Sequence, residues 1–287
     1  MRWPSLRTSE WVLVVFFGYI AAISPFFRDR PHLGYQPVIL FAGVFGFLWA
    51  LASKEREPAA TAISIVRDWL PIPLTLVAFR GMEVFVPSSY PRTYEAIWVR
   101  WDDLLLNGWH VRRGIESLGA VIPLYLEICY FLVYGVAAFC LVVLYANRRR
   151  EKVNRFLTIY LLGTLLAYAL FPYFPSQPPR IAFPAIASPV ATWARELNLL
   201  LLRNATIHSG VFPSAHVSAA FSCAWGMFLV LPQRKRIGWG LLVYAISVSI
   251  ATIYGRYHYA ADVAAGFGVS LVSGAVCLVL AKREPHS

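Results

Sequence analysis

Two short stretches put ionisable side chains into surroundings that are otherwise strongly apolar. In "GVFPSAHVSAAF", residues 210–221, Pro213, Ser214 and His216 interrupt a run apolar enough to enter a lipid bilayer. In "IYGRYHYAADVAAG", His258 and Asp262 stand four apart. On a helix they share one face, and the carboxylate can accept a hydrogen bond from one imidazole nitrogen. That bond fixes the tautomer and leaves the second nitrogen free as a nucleophile. Arg256, just ahead of this helix, carries the forked donors that bind phosphate oxygens in pairs. Pro213 is predicted in the first turn of the helix that follows it, where its missing donor costs nothing. The N–H groups around Ser214, Ala215 and His216 then form an anion site, and phosphate is the obvious anion. A helix end contributes only about 0.3–1 kcal/mol, so a doubly charged group needs a cation as well. An Asp one turn inside a span costs about 2.5–3.5 kcal/mol on the insertion scale, which makes Asp262 a mark of function rather than of packing.

The elements that must position these residues are membrane helices. The chain has 287 residues, 58% hydrophobic and 14% charged, too apolar for a soluble domain of this length. Apolar runs recur at 11–27, 37–52, 118–146, 155–172, 213–232, 237–255 and 259–281. Most of them approach or exceed the roughly 17–25 residues that cross a hydrocarbon layer. A weaker eighth, 64–84, carries Arg67, Asp68, Arg80 and Glu83, whose charges must meet protein or water. The first run lacks a small-residue cleavage site and is expected to stay as an uncleaved span. The predicted fold class is all-α, a polytopic membrane protein of about eight spans. No repeat or linker divides it. We expect an N-terminal transmembrane and interfacial region over 1–117 and a core over 118–287.

A net charge of +11 invites a nucleic-acid partner, but its distribution excludes one. The basic clusters "SKERE", "NRRREKVNR", "QRKR" and "AKRE" sit at span ends, as the positive-inside bias places cytoplasmic loops. This orientation puts both termini in the cytoplasm and the segments around His216 and His258 at the extracytoplasmic boundary. Of the two long outer segments, 85–117 interleaves aromatics with charges as an interfacial helix does. The other, 173–212, opens with "YFPSQPPRIAFP", too proline-dense for regular helix, before an amphipathic helical pattern resumes. Cys129, Cys140, Cys223 and Cys277 fall within spans without metal-ligand spacing and read as buried apolar side chains. Asn204 opens an "NAT" glycosylation pattern, and His208 reads as a loop residue.

The stretches "FPSAH" and "YHYAAD" resemble the second and third motifs of the type 2 phosphatidic acid phosphatase superfamily, P-S-G-H and S-R-x5-H-x3-D. Within it, "FPSQPPR" ahead of "GVFPSAH" is similar to the branch containing inositol phosphorylceramide synthase. The resemblance covers roughly residues 118–281. It implies a six-helix core behind the N-terminal helices, and phosphoryl transfer through a phosphohistidine with no metal and no cofactor. In that scheme His258 is the nucleophile, Asp262 its orienting carboxylate and His216 the general acid, while Ser214 hydrogen-bonds the phosphoryl group. The implied partners are a membrane lipid phosphate in the bilayer and an acceptor that is either water or an alcohol. Three departures stand out. Ala215 replaces the motif glycine, Thr252 holds the place of the motif arginine, and no K-x6-R-P first motif is present. Arg180 and Arg256, with Gln177 as a third, are the substitutes for the missing phosphate clamp.

Two other readings follow from the same residues. A transporter or channel would line a polar path with Arg67, Asp68, Glu127, Arg256 and Asp262, although no interrupted helices recur in matching halves. A membrane zinc hydrolase would use His216, His258 and Asp262 as ligands.

Overall fold

A computed structural model describes residues 5–55, 61–205, 207 and 209–283. His208, and Thr206 of the "NAT" pattern, lie outside the described residues. The structure is 78% helical, with no strand among the described residues. The all-α membrane fold is therefore as the composition predicts.

Six helical segments are long and apolar enough to cross a membrane, fewer than the eight expected. They are Thr8–Phe27 (helix α1, Thr8–Ile23, and a 3₁₀ turn), Gln36–Lys54 (α2) and Val121–Ala146 (α7, Val121–Leu132, and α8, Val136–Ala146). The others are Arg150–Leu170 (containing α9, Val153–Leu170), Pro232–Tyr254 (containing α13, Lys235–Tyr254) and Ala260–Val279 (within α14, Ala260–Arg283). The weak 64–84 stretch becomes α3 (Thr61–Trp69) and α4 (Pro71–Gly81), bent by 40° where Pro71 cannot continue the hydrogen-bond ladder. Counted as one span, that pair is the seventh. The expected 213–232 span is α12 (Ala215–Val230), whose 16 residues reach only about 24 Å.

The shortness of α12 suits its place. It packs against α9, α13 and α14 in the middle of the bundle, and most of its residues are buried. Small residues allow this, as they do at close helix contacts in membranes generally. Ser218 Oγ donates to Gly163 O across the α9 contact at 2.8 Å. A methyl group added at Gly163 would lie 2.0 Å from Ser222 Oγ, and one at Gly266 would lie 2.4 Å from Ser214 O. The second clash matters most, because Ser214 opens α12 and Gly266 lies one turn past Asp262 on α14.

The charges of the bent pair meet protein. Arg67 is 2% exposed and bonds Glu10 on α1 and Glu55 just past α2. Asp68 takes Arg7 at 2.6 Å and Arg150 at 2.7 Å, and the Tyr145 hydroxyl also donates to it. This cluster ties the N-terminal helices to α8 and α9 on the side opposite His216.

Outside the spans, α5 (Thr93–Asp103), α6 (Val111–Glu116) and α11 (Trp193–Ala205) are the helices expected in the two long segments. The proline-rich stretch differs slightly from expectation. It holds one helical turn, α10 (Pro179–Ala182), started by a proline at the position that needs no donor.

Candidate active site

The end of the bundle formed by residues 171–214 and 255–262 gathers the residues singled out above. His258 is the centre. Its Nδ1 lies 3.0 Å from Val211 O and 3.3 Å from Asp262 Oδ2. A carbonyl oxygen can only accept, so Nδ1 carries the proton and Nε2 keeps its lone pair. Nε2 in turn lies 3.3 Å from His216 Nδ1, the first residues of α12 and the start of α14 having been brought together. Burial pushes the His258 imidazole down to about 3, with the Arg180 charge acting in the same direction and the Val211 carbonyl opposing it. The ring is neutral at physiological pH. Asp262 is fully buried, and its Oδ2 also accepts the Tyr259 N–H at 2.9 Å.

The start of α12 differs from the sequence expectation. Ser214, not a residue before it, caps the helix: its Oγ accepts the Val217 N–H, and Ala215 is the first helical residue. Pro213 precedes the cap, joined to Phe212 by a cis peptide bond. The Ser214 N–H donates to Asp262 O at 2.9 Å, so it is not free for an anion. The buried Ser214 side chain does not line the cavity, which is bordered instead by Ala215 and His216. The cap uses a lone pair of that hydroxyl, and it is the burial of Ser214 away from the cavity lining that sets it apart from the expected phosphate contact.

The cavity holds about 610 Å³ and is bordered by His216, His258 and Arg180. Among the described residues Arg180 is the one Lys or Arg that borders it. Its guanidinium sits 5.4 Å from the centre of the Tyr257 ring and makes no ion pair among the described residues. Burial lowers its affinity for a proton. A guanidinium stays charged regardless, and among the described residues no carboxylate pairs with it to offset the cost of its burial.

Arg256 and Gln177 are placed differently from the expectation. The Arg256 guanidinium donates to Ile186 O, Pro179 O and Phe183 O, and its own carbonyl accepts the Arg180 N–H at 3.2 Å. Three of its five donors go to carbonyls of the proline-rich loop, and its own carbonyl ties that loop at Arg180. Gln177 Oε1 accepts from Arg92 at 2.9 Å and borders a separate polar pocket. Pro179 O and Phe183 O each also accept one loop N–H, from Phe183 at 3.0 Å and from Ile186 at 3.2 Å, and Arg256 fills a second lone pair on both besides meeting Ile186 O.

Sequence reasoning missed the aromatic and acidic frame. Tyr130 stacks on Tyr257 at 3.9 Å, and both Tyr130 and Tyr134 lie against the His216 ring. Glu127 Oε2 accepts the Tyr257 hydroxyl at 2.6 Å and Asn198 at 2.8 Å, while Oε1 takes Arg195 at 2.8 Å. Helix α5 also braces the site. Asp102 accepts the Ala260 N–H at 2.8 Å at the start of α14, Glu95 accepts the Gln177 N–H, and Trp98 stacks on Phe212. Burial pushes the Asp102 carboxyl up to about 7 against the pull of that N–H. A Tyr beside a His is a weak sequence signal; "Glu127" was visible only as a charge inside a span.

Glu127→Ala is expected to cost about 3–5 kcal/mol, because it strands Arg195 in a buried place. Thermal unfolding in detergent measures it, and the Glu127→Met, Arg195→Met pair should recover most of the loss. Equal stability of Glu127→Ala and wild type would show that the pair carries no weight.

A family model described as the PAP2 superfamily matches residues 104–276. The chain belongs to the PAP2 superfamily. No curated protein and no solved structure matches the chain. PAP2 membership supports a phosphatase-type membrane enzyme of lipid phosphates, and the matched region contains both histidines and Asp262. Geometry separates this from the zinc reading. Asp262 meets His258 on its Nδ1 edge and His216 meets it on Nε2, so the three do not converge on one point. Among the described residues no group of three metal-ligating side chains is arranged to hold an ion. The polar path of a channel is absent from the same residues: Arg67 and Asp68 are paired in one cluster and Glu127 in another.

Proposed function

We propose that this PAP2 protein transfers a phosphoryl or phospho-head group from a membrane lipid phosphate by way of a phosphohistidine at His258. The observation that supports this most is the approach of His216 Nδ1 to His258 Nε2 at 3.3 Å, on the wall of a cavity that Arg180 overlooks. In the first step the Nε2 lone pair attacks phosphorus, a P–N bond forms and the ester P–O bond breaks. The proton carried by His216 goes to the leaving lipid oxygen. In the second step an acceptor oxygen attacks phosphorus, gives its proton to His216, and the P–N bond breaks. Asp262 and Val211 O hold the His258 ring for both steps, and Arg180 compensates the phosphoryl oxygens.

Water as acceptor makes the enzyme a phosphatase; an alcohol makes it a head-group transferase. The loop "FPSQPPR" supports the inositol phosphorylceramide synthase-like branch, because Arg180 from that loop stands in for the arginine replaced by Thr252. Purified protein given lipid phosphates and phospholipids, with and without alcohols, should yield a new phospholipid only when alcohol is present, read by mass spectrometry. Phosphate release indifferent to alcohol makes it a phosphatase, and no turnover of any lipid sinks the proposal. A chelator should leave the rate unchanged.

The orientation belongs to the same proposal: the site faces out and both termini face the cytoplasm, as the basic clusters require. The four native cysteines are buried, so Ser188→Cys on the exposed outer loop gives a clean probe. An impermeant maleimide should label it in intact cells. Labelling only after permeabilisation would invert the topology.

A further inference from the structure

The cavity has a wall that the matched PAP2 region does not supply. Ile72, Thr75, Leu76 and Phe79 border it, all from α4 and all ahead of residue 104. Their spacing of three, one and three residues is a single helical stripe, so α4 turns one face to the cavity along its length. Leu132 and Tyr134, at the 3₁₀ break between α7 and α8, border the same cavity. Leu76 is 57% exposed and Leu132 52%, so both reach the outside of the bundle, within segments that lie in the membrane. The other end of the cavity is the polar one, with Arg180, His216 and His258. Between the two ends the lining is aromatic and aliphatic, Phe79 packing on Tyr168 at 5.6 Å, and no carboxylate or lysine borders it.

We infer that this stripe of α4 is the specificity-determining wall for the substrate's hydrocarbon chain. The phosphate lies under Arg180, and the chain runs along Ile72, Thr75 and Phe79 to leave the bundle between Leu76 and Leu132. A chain fits this passage and a second polar group does not, because nothing along it donates charge. The inference rests on the phosphotransfer reading above and adds the part of the substrate that the catalytic groups never touch. Each methylene held against this wall is worth about fourfold in binding.

Leu76 is the position to test, since its exposure lets either a larger or a smaller side chain be placed without disturbing the bundle. The full-length protein, its Leu76→Trp and its Leu76→Ala forms are compared on dioctanoyl and dipalmitoyl phosphatidic acid in the same detergent, with folding checked by thermal unfolding. Leu76→Trp should shift the ratio of kcat/KM about tenfold toward the shorter chain, and Leu76→Ala should shift it the other way. Equal falls on both lipids, or an unmoved ratio in both variants, would overturn the assignment while leaving phosphotransfer intact. Wild-type protein that turns over neither lipid, whether or not an alcohol acceptor is supplied, would overturn the phosphotransfer reading and this inference with it.

Discussion

His258→Ala is expected to lower lipid-phosphate turnover by about 10³-fold or more, because it removes the atom on which the covalent intermediate would form. His216→Ala should cost about 10²–10⁴-fold, the usual share of a general acid. The double variant should be little worse than His258→Ala alone, since the two act as one unit across a 3.3 Å contact. Wild-type protein quenched during turnover with labelled substrate should carry phosphorus that survives alkali and is lost in acid, and His258→Ala should carry none. Turnover retained in His258→Ala would refute the nucleophile. The pH behaviour follows from burial. The folded imidazole is held near 3, below its ordinary value, so the unfolded chain binds its proton first. The contribution to stability is therefore complete above about pH 6.5 and is lost as pH falls toward 3. Over that window His258→Ala should lose less stability than wild type.

Arg180→Ala should reduce kcat/KM by about 10²–10³-fold, the range found when one preorganised charge-stabilising donor is removed. Arg180→Lys should recover only part of this, because an ammonium replaces the charge but not the fork. The contrast with Arg256 makes the test specific. Arg256 meets three loop carbonyls and not the cavity, so Arg256→Lys should lower thermal stability together with activity. Arg180→Ala should lower activity with the melting temperature nearly unchanged, since among the described residues Arg180 forms no ion pair that holds the fold. Unaltered kinetics in Arg180→Ala would remove it from the clamp and reopen the choice of cation.

Much of this protein is legible from residue order alone. Apolar runs of spanning length declare a helical membrane protein, because lipid leaves unpaired backbone no other solution. The four-residue step from His258 to Asp262 predicts imidazole and carboxylate on one helix face; the 3.3 Å contact forms, but His258 stands in the bend two residues ahead of α14, so the pair joins a helix to the turn before it. Local order also marks Arg67 and Asp68 as charges needing partners, though not that Glu10, Glu55, Arg7 and Arg150 would be those partners.

Which groups are free to meet a ligand was decided by tertiary structure. Arg180 and Arg256 have the same side chain and neighbouring roles in any motif, yet one overlooks the cavity and the other is consumed by three carbonyls. Ser214 reads as a phosphate donor by position, and folding buries it off the cavity lining with its hydroxyl accepting a helix-end N–H. The Tyr130–Tyr257 stack and the α4 wall come from segments far apart along the chain. The physical reason is the same in each case. Short-range geometry is set by covalent spacing and helix pitch, whereas hydrogen-bond donors and apolar faces are allotted by competition among all the groups that folding brings within reach.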